Sequence, residues 1–164
     1  MLVLTDSMAK YVVIAGGKAE VRAVKGDTIK RLTDRIRFDQ CKVAGFSRIL
    51  IHVGSNDISN LFSSGQVRRV TALQMMDRYV SLRSVIRRRN SSAVLLFSAI
   101  LPRVTKFSQC KPYITGLNFC LEKWCAKTQG ACIFIPSYDS FMSYGLPNAA
   151  FFSDSDGLHL DGGV

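Results

Sequence analysis

Histidine is scarce in this chain. Two imidazoles, His52 and His159, serve 164 residues. Any histidine-based proton transfer near neutral pH must run through one of those two positions. Cysteine occurs five times, at 41, 110, 120, 125 and 132, with no Cys-x-x-Cys pair. An odd count without paired spacing speaks against a disulfide framework or a zinc site and points to buried free thiols in a reducing compartment. No apolar run approaches the roughly 20 residues that a membrane-spanning helix needs. The opening Met1–Thr5 is apolar but has no basic flank and no cleavage site. It reads as a strand and not as a secretory leader, so the expected location is intracellular (cytoplasmic). Acidic residues nearly vanish from the middle, where residues 66–106 hold one acid against nine bases.

What is present is an ordinary globular composition, 48% hydrophobic and 21% charged, with a formal net charge of +10. The length suits a single domain over 1–164 with a core of its own. The charge is lopsided. The basic excess of the middle segment is a footprint for nucleic acid or an anionic membrane surface, with Arg83, Arg87, Arg88 and Arg89 as candidate contacts. A solvated basic helix face is the plainer account of the same residues.

Hydrophobic patterning supplies the architecture. Met1–Thr5, Glu20–Val24, Arg48–Val53, Ala93–Ser98 and Ala131–Ile135 read as strands. The third is a nearly continuous β-branched and apolar run, as in a parallel strand buried on both faces. Helical patterns fall at Ser7 to about Val13, Ile29–Phe38, Gln66–Arg89 and Tyr113–Thr128, with Asp27 or Thr28 as an N-cap. Ser59–Gly65, Lys106–Lys111 and Pro136–Asp154 read as loops. Strands alternating with helices about five times imply one α/β layer sandwich with a mostly parallel sheet of about five strands. Ligand sites in such sheets form at the carboxyl ends of the strands. Polar residues stand at those ends: Asp6-Ser7 after the first strand, Gly26 after the second, Gly54-Ser55-Asn56-Asp57 after the third.

The tail adds Asp156-Gly157-Leu158-His159. An aspartate three residues before a histidine can accept its Nδ1–H, leaving Nε2 free as a base. Ser7, at a strand-to-helix turn, could be the nucleophile, with its own N–H as an oxyanion donor. The Asn56 amide and the Gly26 N–H could complete an oxyanion site. Each residue also has a bland account: a helix N-cap for Ser7, a turn residue for Asn56, a turn glycine for Gly26, a polar turn for the tail. His52, inside a buried strand, reads as a satisfied core histidine.

The joint order of Ser, Gly, Asn and Asp-x-x-His resembles the SGNH (GDSL-type) hydrolase superfamily. Thr5-Asp6-Ser7-Met8 is similar to its Gly-Asp-Ser-Leu block, with Thr5 and Met8 as departures. Lys25-Gly26-Asp27-Thr28 matches loosely. Gly54-Ser55-Asn56-Asp57 and Asp156-Gly157-Leu158-His159 match fully. The resemblance spans the chain. It implies a flavodoxin-like three-layer α/β/α sandwich and a serine esterase acting on short or modest acyl esters. Its catalytic set would be Ser7, His159 and Asp156, its oxyanion hole Ser7, Gly26 and Asn56, with neither cofactor nor metal. A carbohydrate O-deacetylase would use the same residues, and a catalytically weak scaffold serving as a binding module is the alternative from another class. The phrasing of Arg48–Asp57, Ser98–Arg103 and Asp156–Leu160 further resembles the esterase domains in first-open-reading-frame proteins of vertebrate LINE-type (non-LTR) retrotransposons. That implies an RNA-associated parent protein. Relatives continue past the histidine into a final helix, so the chain reads as a domain trimmed from a larger protein.

Overall fold

In the computed structural model, described here for residues 1–6, 18–63, 72–152 and 159–160, five parallel strands form one sheet. The strands are β1 (Leu2–Thr5), β2 (Glu20–Ala23), β3 (Arg48–His52), β4 (Val94–Ser98) and β5 (Cys132–Ile135), in spatial order β2-β1-β3-β4-β5. This is the doubly wound order of flavodoxin-like folds, in which the chain reverses direction across the sheet beside β1. The expected three-layer α/β/α sandwich is therefore the observed one. Every residue of β1 is buried, as a strand covered on both faces must be. In β4 the burial alternates, and the edge strands β2 and β5 are the most exposed.

The helices are α1 (Ile29–Arg37), α2 (Ser55–Ser63), α3 (Ala72–Arg89) and α4 (Phe107–Ala126). Thr28 caps α1, its side chain accepting the Arg31 N–H at 3.2 Å. That leaves Ile29, Leu32 and Ile36 on one face against the core. α3 packs against both α1 and α4. The core they enclose is aliphatic, with Tyr79, Phe97 and Trp124 meeting edge to face at 5.9 and 5.3 Å.

Two sequence expectations are corrected. Ser59–Gly65 is not a loop throughout: α2 runs from Ser55 to Ser63, burying Ile58 and Leu61. Lys106–Lys111 is not a loop either, because α4 starts at Phe107 and carries Pro112 inside it. Cys110, Ile114 and Leu117 continue one buried stripe past the proline, whose ring sits on the exposed side. The packing of that stripe outweighs the hydrogen bond that proline forfeits. The stretch after β5 is also more regular than expected. It forms a short antiparallel hairpin, Met142–Ser143 against Leu146–Pro147, turning at Tyr144 and Gly145.

Candidate active site

The carboxyl ends of β1, β2 and β3 converge on one side chain. Asn56, the second residue of α2, donates both hydrogens of its amide. One goes to Asp6 Oδ2 at 3.2 Å and one to the Asp27 carbonyl at 3.0 Å. The same residue thus ties the end of β1 to the turn after β2. That turn depends on Gly26, whose φ of +71° is left-handed backbone. Asp6 is fully buried, and its N–H donates to the His52 carbonyl at 3.3 Å. Of the expected site residues, Asn56 is joined to Asp6, the residue before Ser7, and to Asp27, the residue after Gly26. Ser7 and Asp156 lie outside the described residues. His159 is half-buried, next to Leu160, which forms an antiparallel bridge with Phe152. Phe152 in turn joins Phe141 and Phe151, with ring centroids 6.2 and 5.4 Å from Phe141.

Beneath Asn56 lies a buried layer that sequence reasoning missed. Asp57 accepts the Ile29 N–H at 2.9 Å on one oxygen and pairs with Arg78 at 2.7 Å on the other. It fastens the start of α1 to α3 under the site. Burial raises its pKa, and the Ile29 N–H and Arg78 oppose that. Asp27 is raised in the same way, with the Arg35 guanidinium opposing. The Tyr79 hydroxyl donates to the Val53 carbonyl, and burial, followed by the nearby Asp57 and Asp6 carboxylates, holds it protonated well above its ordinary range. The one sequence signal for this layer is the acid of Gly54-Ser55-Asn56-Asp57, which says nothing about its partners.

His52 is the core histidine that its strand implied. Its Nδ1 lies 3.1 Å from Ser98 Oγ, which lies 3.1 Å from Ser137 Oγ. Burial depresses the imidazole from its ordinary 6.5 to about 4. A folded-state pKa below the unfolded one means that the unfolded chain binds the extra proton first. The stabilisation is whole above pH 6.5 and is lost as pH falls towards 4, a total of about 3 kcal/mol. Denaturant midpoints measured from pH 7 to 4 should therefore fall more steeply for the wild type than for His52→Gln. Parallel profiles would show that His52 does not titrate this way. Asp27 and Asp57 act with the opposite sign but equally in both proteins.

The four arginines singled out by charge have separate occupations. Arg87 donates to the carbonyls of Ser91, Ala93 and Ala131 at 2.6, 2.6 and 2.7 Å, tying the end of α3 to the starts of β4 and β5. Arg83 lies over the Trp124 ring at 5.9 Å. Arg89 donates to the Arg37 carbonyl at 2.9 Å and pairs with Asp39 at 3.1 Å. Arg88 is exposed.

Solved structures with the same arrangement identify the fold. A GDSL-like lipase from Bacteroides thetaiotaomicron matches over 98% of this chain and 79% of its own, at 14% identity and a TM-score of 0.75. The chain has the GDSL-like hydrolase fold. A catalytic mutant of Axe2, an acetylxylan esterase from Geobacillus stearothermophilus, matches this chain over 99% of its length and 86% of the mutant's, at 11% identity and a TM-score of 0.69. The esterase domain of the ORF1 protein from the zebrafish ZfL2-1 retrotransposon is matched over 98% and 88%, at 22% identity and a TM-score of 0.48. No protein-family model matches the sequence, and comparison with curated proteins gives no match. Among the described residues of this GDSL-like fold, no cluster of histidine, cysteine or carboxylate side chains could hold a metal ion, and no helix is long and apolar enough to cross a membrane.

Proposed function

We propose that this chain is a serine esterase that hydrolyses short or modest acyl esters, acetyl or lipid-type. Ser7 attacks the acyl carbon and forms an acyl-enzyme. His159 takes the hydroxyl proton and returns it to the leaving alcohol, and Asp156 orients His159. The N–H groups of Ser7 and Gly26 and the amide of Asn56 receive the oxyanion. Water, activated by the same histidine, then releases the acid. The observation that carries this reading is the Asn56 amide, bonded at once to Asp6 and to the turn that Gly26 makes. A p-nitrophenyl acetate assay tests it together with labelling by a fluorophosphonate. Turnover and label should both appear in the wild type and both vanish in Ser7→Ala. A wild type that neither turns over nor labels ends the proposal. The same reading makes the chain the esterase part of a LINE-type retrotransposon protein associated with RNA, on the strength of Arg48–Asp57, Ser98–Arg103 and Asp156–Leu160.

One observation favours a second role, binding nucleic acid. Arg37, Val85, Arg88 and Arg89 line a recess of about 270 Å³ between α1 and α3. Phe38, next in sequence to Arg37, is 67% exposed. Three guanidinium groups at one recess, followed in sequence by an exposed aromatic ring, suit single strands, with phosphates taken by Arg88 and drawn to Arg37 and Arg89 in competition with Asp34 and Asp39, and a base on the ring. Fluorescence anisotropy with a labelled single-stranded oligonucleotide should show affinity falling with salt. The log–log slope should be shallower by about 0.7 for each phosphate that Arg88→Ala or Arg89→Ala leaves unneutralised. Salt-independent binding, or slopes that these variants leave unchanged, would remove this role.

A further inference from the structure

Arg103 follows β4 on the segment Leu101-Pro102-Arg103, at the same end of the sheet as Asn56. It is only 9% exposed, and among the described residues it is the one arginine so deeply buried. Its Nη1 donates to Ser59 Oγ at 2.7 Å, and among the described residues its buried Nε, like those of Arg35 and Arg83, has no hydrogen-bond partner. Among those residues it also has no carboxylate within ion-pair reach and lies over no aromatic ring, although the other partly buried arginines find partners. Arg35 has Asp27, Arg83 has Trp124 and Arg87 has three carbonyls.

Taking a guanidinium out of water is unfavourable by several kcal/mol unless an anion or a full set of acceptors replaces the water. Arg103 has one neutral acceptor among the described residues. Its position is fixed from behind, because Asn118 on α4 accepts the Ile100 N–H at 2.8 Å and donates to the Ile100 carbonyl at 3.0 Å. The backbone leading to Arg103 is thus tied to α4, and the Ser59 hydroxyl holds the guanidinium itself.

Its one acceptor places it relative to the site. Ser59 lies three residues beyond Asn56 on α2, on the same helical face, and its hydroxyl donates to the Ser55 carbonyl at 3.0 Å. The guanidinium thus bonds a residue about one helical turn along α2 from the amide assigned to the oxyanion, at the middle of a nine-residue helix.

We infer that Arg103, held on Ser59 of α2, forms an anion subsite near Asn56, so that the preferred substrate is an ester carrying a negative group, a carboxylate or a phosphate, on the part of the molecule away from the scissile bond. This rests on the esterase reading. The guanidinium makes a charge-assisted pair with that group and positions the ester. No proton moves and no bond is exchanged there.

Matched esters test it. The kcat/KM ratio of p-nitrophenyl hemisuccinate to p-nitrophenyl butyrate, and of the hemiglutarate to the valerate, should exceed one in the wild type. In Arg103→Leu it should fall by about ten- to a hundredfold, the range expected when a charge-assisted hydrogen bond is removed. Arg103→Lys should keep part of the preference. A wild-type ratio at or below one, or a ratio unmoved in Arg103→Leu, overturns the subsite while leaving the esterase intact. Absence of turnover on every ester removes the esterase reading instead. The subsite is then decided by inorganic phosphate alone. It should raise the melting temperature of the wild type more than an equal ionic strength of sodium chloride does, and should not do so in Arg103→Leu. Equal shifts from the two salts overturn it. If Arg103→Leu does not fold, Arg103→Lys and the wild-type phosphate shift decide on the same terms.

Discussion

Replacing Gly54 with alanine is expected to lower the stability of this protein by about 3–6 kcal/mol. Two independent causes add. Gly54 has φ +124°, backbone that L-residues rarely adopt, so a side chain is strained wherever it points. A Cβ there would also stand 2.6 Å from Tyr79 Oη and 2.8 Å from Ile100 Cδ1. Neither neighbour can retreat easily. Tyr79 is buried, gives its hydroxyl hydrogen to the Val53 carbonyl and meets Phe97 edge to face, and Ile100 is held by Asn118. Total stabilities of domains this size are about 5–15 kcal/mol, so the variant loses a large share. Its melting temperature should fall by roughly 10–20 °C. Thermal denaturation followed by circular dichroism measures this, and a shift under about 3 °C would refute it. Adding Tyr79→Phe removes the closest clash atom, so the double variant should be less destabilised than the sum of the two singles. Strict additivity would mean that the hydroxyl is not the obstacle.

Asn56→Ala should reduce turnover of an activated ester by about 10²–10³, the typical effect of removing one oxyanion donor. In the resting protein both amide hydrogens are engaged, one with Asp6 and one with the Asp27 carbonyl. Removing a hydrogen bond made only in the transition state lowers kcat and kcat/KM together; the melting temperature falls in any case, because the two resting hydrogen bonds are lost, so the kinetic pattern carries the test. Asn56→Asp separates these effects further. It keeps the shape but sets a second carboxylate against the buried Asp6, removing the donor and adding repulsion. It should be no more active than Asn56→Ala, and a variant that retains wild-type turnover would take Asn56 out of the oxyanion site.

Much of this fold is legible because its strands are apolar runs of the right length, bounded by turn residues. All five stand out in the sequence, and their parallel pairing follows from the alternation with helices. α2 is not legible. Ser55-Asn56-Asp57-Ile58-Ser59-Asn60 is rich in residues that favour caps and turns, and the helix forms because Ile58 and Leu61 are buried and Asp57 is fixed by Ile29 and Arg78. The start of α4 is hidden by Pro112, which local rules treat as a boundary. In the candidate site, the order of Gly26 and Asn56 along the chain points to their meeting, since strand ends in such sheets lie together. The layer below is invisible, since nothing around Arg78 marks it as the partner of Asp57; likewise, away from the site, nothing in Arg83-Ser84-Val85-Ile86-Arg87-Arg88-Arg89 distinguishes the arginine that clamps three carbonyls from the one left in solvent. Only the positions of distant carbonyls make that distinction.

The two edges of the sheet are unequal in a way that bears on solubility. At β2, Glu20 and Arg22 bond at 2.6 Å and set charges along the open side of the strand. Such charges discourage another strand from adding there. β5, Cys132-Ile133-Phe134-Ile135, has none, and Ile133 and Ile135 are 44% and 36% exposed. Thr128 occupies part of its outer edge, accepting the Cys132 N–H at 2.9 Å and donating to the Cys132 carbonyl at 3.2 Å, so the apolar stretch from Ile133 to Ile135 is what leaves this the less guarded of the two edges.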